Sequence, residues 1–298
     1  MEFYINNNQL IKEDTWQLKI DELRKNNTID VNEEKEALEI LDKYLFNAVK
    51  KRVDNLDRFG ILFSGGLDSA IIVKICKDLG KDFTCYAIGF KDSKDLVYAK
   101  KAATLMNLKL KIKILNEDDL RNALINVVKI LDNTNPVYIS IACVSYLGLK
   151  FVKDSDENIV INGLGAEEIF CGYQRHLKAS DEEIHEESWR GLREMWKVDL
   201  ERDYLIAQFM DVNVRTPFMD QDLISNSMKI EPNLKISNSV KKIILRSFAK
   251  KINVPAEIAD RPKSAGQYGS KINHEIKKLA RKNNYKNTKD YLENLKKS

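Results

Sequence analysis

The sequence predicts an α/β fold: a parallel sheet with helices on both faces, followed by an all-helical C-terminal part. Three observations predict it. Between residues 61 and 162, short apolar runs alternate with segments of helical apolar spacing. A glycine turn joins the first such run to the first helix, and beyond about residue 180 the strand-like runs stop. Strands that alternate with helices pair in parallel through right-handed crossovers, and such sheets bind ligands at the carboxyl ends of their strands.

The elements follow in order. Phe3-Tyr4-Ile5 and Leu10-Ile11, separated by Asn6-Asn7-Asn8, read as a small hairpin. Asp30 to Val53 reads as a helix, opened by an Asp30/Glu33 capping box and carrying Leu38, Leu41, Leu45, Ala48, Val49 and Val53 at helical spacing. Strand 61–63 leads to helix 67–79, strand 83–90 to helix 94–106, and strand 110–115 to helix 117–131. Helix 138–153 then precedes strand 158–162. The later helices span 182–197, 199–210, 220–229, 239–251 and 270–283. The charged run Asp181 to Glu187 reads as a solvated helical face. The Lys- and Asn-rich stretch from Lys277 to Lys297 reads as an exposed helix or tail. The chain therefore divides into an N-terminal extension (1–55), a main domain (56–283) and a tail (284–298).

Composition narrows the class. A chain of 298 residues, 43% apolar, fits one large or two smaller globular domains. With 49 Lys and Arg against 45 Asp and Glu, the net charge of +4 is too mild to imply nucleic acid. No N-terminal apolar leader and no apolar run of membrane-spanning length is read, which predicts a cytoplasmic protein. Cys76, Cys85, Cys143 and Cys171 lie apart without a Cys-x-x-Cys pair and are expected to be reduced and buried. His176, His185 and His274 are equally scattered, so neither a zinc site nor a Cys/His nucleophile is expected.

Chemistry concentrates in two stretches. The first is Gly60-Ile61-Leu62-Phe63-Ser64-Gly65-Gly66-Leu67-Asp68-Ser69-Ala70. Ser64-Gly65-Gly66 forms a turn that only small residues permit. Backbone amides that point outward there, together with the positive end of the helix, make a cradle sized for phosphate. The hydroxyls of Ser64 and Ser69 add donors. Asp68 suits an anion site only when a divalent cation stands between it and the phosphates. This is not a Walker A loop, which needs Lys-Ser/Thr after the second glycine; the plain alternative is an ordinary glycine-rich βα turn. The second stretch, Val160 to Tyr173, is a buried strand, a Gly163-Leu164-Gly165 loop, the adjacent carboxylates Glu167 and Glu168, and an aromatic. Adjacent acids beside an anion cradle suit a hard cation, although acidic pairs more often sit on surfaces.

Residues 64–69, Ser-Gly-Gly-Leu-Asp-Ser, resemble the pyrophosphate loop of the N-type ATP pyrophosphatases. Gly163 to Tyr173 resembles the Gly-x-Gly-Ala-Asp-Glu-x-Phe-Gly-Gly-Tyr segment of the asparagine synthetase family. Val214 to Asp220, Lys242 to Arg246, Arg261-Pro262-Lys263 with Gln267 to Ser270, and Tyr86 to Phe90 followed by Asp95 match further family segments, over about residues 30–283. The chain thus resembles the synthetase domain of that family, shared with the β-lactam and carbapenam synthetases, whose fold is adenine nucleotide α-hydrolase-like.

The resemblance implies an Mg²⁺- and ATP-dependent ligase. It would adenylate a carboxylate, aspartate by default, and form an amide with ammonia, releasing AMP and pyrophosphate. Asp68 and Glu167 would ligate the metal. Ser64, Gly65, Gly66, Asp68 and Ser69 would hold the phosphates. Leu62 and Ile88 would contact adenosine, with Asn162 and Gly163 nearby. Lys242 would neutralise charge that grows in the transition state, with Arg246 one turn away on the same helical face. Glu168 and Arg215 complete the implied catalytic set, Arg215 either gripping a carboxylate in bidentate fashion or forming a structural pair. Three departures follow, the first two bearing on the product and the third on the position of the ion. The family's glutaminase domain is not matched, and position 2 is Glu2 rather than a cysteine nucleophile. This points to free ammonia, to a separate glutaminase subunit or to another nucleophile. Leu164 stands where the family usually has Glu or Gln, and leucine transfers no proton. Glu167 stands where the family has Asp. An enzyme that activates a tRNA base or another metabolite, and an ATP-binding partner subunit without catalysis, are the alternatives; a homodimer is compatible with each.

Overall fold

The computed structural model describes residues 2–237, 239–262 and 265–297. β1 (Ile5–Asn6) and β2 (Gln9–Leu10) form the expected hairpin, with Ile5 opposite Leu10. α1 (Glu13–Lys25) follows, a helix absent from the sequence reading; only Trp16 and Ile20 of it are fully buried, so its periodic signal is weak. α2 (Glu34–Ile40) runs through a π-helical turn at Leu41–Leu45 into α3 (Phe46–Val53). The expected Asp30/Glu33 capping box does not form. The Asp30 and Val31 amides instead donate to the Lys229 carbonyl, and Val31 pairs with Ile230, so the helix starts later, at Glu34.

The sheet contains β3 (Arg58–Leu62), β4 (Asp82–Gly89), β5 (Leu110–Ile114), β6 (Ile159–Ile161) and β7 (Asn213–Arg215), all parallel, in the order β5-β4-β3-β6-β7. α4 (Leu67–Asp78), α5 (Lys94–Met106), α6 (Glu117–Leu131) and α7 (Pro136–Lys153) connect the strands up to β6. The strand order reverses between β3 and β6, which is the switch point where open α/β sheets bind ligands. Gly60 pairs with Val160 and Ile61 with Ile161, so the two strands end level with each other. Alternate side chains leave opposite faces. Phe59, Ile61, Phe63, Cys85 and Ala87 enter one core with α3, α4 and α5, while Tyr86 and Val160 enter the other with α6 and α7. Each large apolar side chain buried this way contributes roughly 1.5–3 kcal/mol, which fixes both layers of helix on the sheet.

α7 corrects one expectation. It is 18 residues long with a mean hydropathy of 1.2, enough by length and composition to cross a membrane. Here its Ile139, Ala142, Cys143, Leu147 and Val152 fill the second core, so the apolar run belongs to packing.

The C-terminal part contains α8 (Ala166–Ile169), α9 (Asp181–Met195), a π-helical turn at Trp196–Leu200, α10 (Glu201–Met210), α11 (Gln221–Ser227) and α12 (Pro232–Lys235). A hairpin of β8 (Ile236–Ser237) and β9 (Val240–Lys241) then precedes α13 (Ile243–Lys251), α14 (Ala256–Ala259), α15 (Gly266–Gly269), α16 (Ile272–Lys282) and α17 (Thr288–Lys297). Two expectations fail here. The run before α9's midpoint is not wholly solvated, because Glu187 is buried between Arg175 and Arg190. The stretch from Lys277 to Lys297 is not an exposed tail: Leu279, Ala280, Tyr291, Leu292 and Leu295 are buried in the second core. All four cysteines are free and buried, as expected.

Candidate active site

The turn after β3 has the conformation its sequence requires. Gly65 is left-handed at φ +67°, and a β-carbon there would lie 2.5 Å from the Tyr98 main chain. Gly66 is the N-cap of α4 and no side chain caps the helix, so its first amides remain available to an anion at the turn. The Ser69 hydroxyl donates to the Gly66 carbonyl at 3.1 Å, which ties it to the turn itself. Gly163, at the end of β6, lies against Asp68: a β-carbon on it would meet the Asp68 Cβ at 3.1 Å. The turn after β3 and the 162–168 loop, both at the carboxyl rim, therefore meet across the switch point.

At the centre, the Lys242 Nζ donates to Asp68 Oδ1 at 2.7 Å, to Asp68 Oδ2 at 2.8 Å and to Glu167 Oε1 at 2.9 Å. The lysine side chain is 3% exposed and each carboxylate 14%. Lys242 is not inside a helix, as its apolar neighbours suggested. It is the left-handed N-cap of α13, at φ 59°, reached from the β8–β9 hairpin. Gly172 closes the site from the other side, since any β-carbon there would overlap the Glu167 carboxylate and the Lys242 Cε. Arg246 does not share the lysine's partners. Its guanidinium donates to the carbonyls of Lys241, Ala259 and Arg261.

The remaining expected residues divide into two groups. Leu62 and Ile88 are partly buried beside Tyr86, on one face of the neighbouring strands β3 and β4. Glu168 sits behind the central pair: Tyr173 donates to its Oε1 at 2.6 Å, and its Oε2 is buried without a partner. Burial, then the charge of Asp199, raises its pKa to about 7. Arg215 is elsewhere. Its Nη1 donates to the Arg52 carbonyl at 2.6 Å and its Nε to Asn213. It lines a cleft of about 970 Å³ along the β7 edge, which Asn162 and Leu164 also reach. The structure thus assembles Ser64, Gly65, Gly66, Asp68, Gly163, Glu167 and Lys242, and leaves Arg215 to the cleft.

Arg261 and Asp95 appeared in the sequence only as parts of matched segments. Arg261 donates to the Ser64 carbonyl at 2.6 Å and to Asp95 Oδ1 at 2.9 Å, with its guanidinium stacked 3.9 Å from the Tyr98 ring centre. It braces the glycine turn from behind. An acid in the first turn of the helix after β4, on the same rim as the glycine turn, was the available signal. Lys263 lies outside the described residues.

A divalent cation fits this donor set, with a condition. Two carboxylates already converge on a cation, the Lys242 ammonium. Among the described residues, however, no group of three or more His, Cys, Asp or Glu could hold a metal. A Mg²⁺ here would take two protein carboxylates and complete its shell with water or phosphate oxygens.

An open parallel sheet with an uncapped helix at its switch point, and a buried lysine between two acids beside it, defines an α/β protein with its candidate site at the carboxyl rim of the sheet. Sequence comparison gives the family. The asparagine synthase family model matches residues 41–182 and 177–291, and the chain belongs to that family. It is 34% identical over 299 residues to a putative glutamine-hydrolysing asparagine synthetase of Methanocaldococcus jannaschii, covering 88% of this chain and 55% of that protein. The mouse asparagine synthetase is 31% identical over 229 residues, covering 74% and 41%. The chain spans about half the length of these relatives. The solved NMN synthetase of Francisella tularensis superposes with a TM-score of 0.44 at 14% identity, over 88% of this chain and 93% of its own.

Proposed function

We propose that the chain is a ligase that adenylates a carboxylate with Mg²⁺-ATP and transfers it to an amine, aspartate and ammonia being the default pair. The observation that carries this is the convergence of Asp68, Glu167 and Lys242, from three distant segments, on the glycine turn. In this reading the α4 amides with Ser64, Gly65 and Gly66 hold the terminal phosphates. Leu62 and Ile88 supply an apolar platform for the adenine, with Asn162 and Gly163 nearby. Asp68 and Glu167 would hold a Mg²⁺, which would supply shielding of the phosphate charge. The substrate carboxylate attacks the α-phosphate, and the Lys242 ammonium neutralises the charge passing to pyrophosphate. The amine then displaces AMP. With Leu164 unable to carry a proton, Glu168 is the neighbouring acid assigned to take the one the amine sheds. The amine is free ammonia or arrives from a separate glutaminase subunit.

ATP–pyrophosphate exchange across a panel of amino acids, with and without ammonia, tests this. Exchange that depends on one carboxylic acid supports it. Absence of exchange with every acid, despite ATP binding, would instead indicate an ATP-binding subunit.

A further inference from the structure

We propose that Lys242 is the resident counter-ion of the metal position, displaced only by a metal–nucleotide complex, so that the divalent cation enters with the polyphosphate and not before it. This deepens the reading above and rests on it.

Charge and geometry carry the inference. The Lys242 hydrogen bonds described go to Asp68 and Glu167, so the ammonium already occupies the position between the two carboxylates. The lysine is 3% exposed, where salt screens little. A lone metal ion would have to expel this ammonium and leave it without an anion. It would also gain few protein ligands: Mg²⁺ takes six oxygens at about 2.0–2.1 Å, and among the described residues no group of three or more His, Cys, Asp or Glu could hold it, so most of its shell would stay water. A triphosphate removes both obstacles together. Its oxygens complete the metal's shell, and its remaining negative charge receives the ammonium. The change needs only rotation about the lysine's flexible stem. The stem runs past Gly172, where no side chain stands against its Cε. Arg246, bound to three carbonyls, leaves the head of α13 anchored while the stem turns.

The test is Mn²⁺ binding, followed by the electron paramagnetic resonance of the free ion, with no nucleotide present. Wild type is expected to bind Mn²⁺ at least tenfold more weakly than Lys242→Gln, with Lys242→Met as a second, apolar replacement; Lys242→Arg, which keeps the charge, should stay within about threefold of wild type. Equal Mn²⁺ affinity in wild type and both neutral variants overturns the proposal. So does wild type binding Mn²⁺ alone as tightly as it does with a non-hydrolysable ATP analogue, a result that needs no variant to fold. The same titration with the analogue separates the two readings. No Mn²⁺–analogue binding by wild type refutes the ATP reading and this proposal with it. Binding of the complex without the variants' gain refutes the counter-ion role alone.

Discussion

Arg52 and Lys242 each sit buried between two carboxylates drawn from distant parts of the chain. Arg52 is 4% exposed and donates to Glu2 at 3.2 Å and to Asp220 at 2.5 Å; Lys242 is 3% exposed between Asp68 and Glu167. Every partner of Arg52 has a second structural task. Asp220 accepts the Asp222 and Leu223 amides at the start of α11, and Glu2 accepts the Thr216 hydroxyl. Arg52 also reaches the Ala48 carbonyl. Its rigid fork is committed on all sides, whereas Lys242 is a point charge on a flexible stem beside an uncapped helix and a glycine turn. A cation between two carboxylates is therefore a clamp in one place and, on the proposed reading, a working cation in the other, and the neighbours decide which.

The largest expected effect breaks the working side. Asp68→Asn should lower ATP–pyrophosphate exchange by roughly 10²–10³-fold or more, with the melting temperature within a few degrees of wild type. Unchanged exchange would remove the metal role. The clamp should respond in the opposite way: Arg52→Ala takes the shared cation from Glu2 and leaves Asp220 only the longer contact to Lys51 at 3.5 Å, at a cost of about 3–5 kcal/mol in urea unfolding, while exchange per folded molecule persists. A third buried cation sharpens the contrast. Lys235 is 2% exposed, and its one described contact is the Met228 sulfur at 3.8 Å. Burial lowers its pKa from 10.5 to about 8. The unfolded chain keeps that proton up to 10.5 while the folded chain releases it near 8, so folding is penalised at neutral pH and stability rises between about pH 8 and 10.5. Lys235→Met should add on the order of 2 kcal/mol at pH 7 and abolish that rise, as read from melting curves across pH. The smallest effect falls on the brace. Arg261→Lys loses the two-pronged grip on Ser64 and Asp95, and should raise KM for ATP by about tenfold, or 1.4 kcal/mol, with kcat little changed.

How much of this was legible depends on how locally each feature is encoded. β3, β4, β5 and the helices between them are long enough to show their periods, and the glycine turn states its own conformation. β7 is three residues, Asn213-Val214-Arg215, and its place is set by pairing with β6, so no local pattern announces it. The π-helical turns at 41–45 and 196–200 insert a residue without interrupting the apolar rhythm enough to be seen. Asp68, Glu167 and Lys242 were identified by resemblance, but their mutual contact was not. It depends on the left-handed turn at Lys242, which the surrounding Val240, Ile243 and Ile244 made look like mid-helix. Arg215 was grouped with them because it lies within a matched segment, whereas its place on β7 turns it toward Arg52.

The four sequestered thiols can serve as an unfolding clock. Cys76 and Cys85 lie in the layer beneath the glycine turn, Cys143 in the layer opposite, and Cys171 one residue from Gly172. An alkylating reagent reaches each only when its own layer parts, so the order in which they become labelled during slow denaturation records which side of the sheet gives way first.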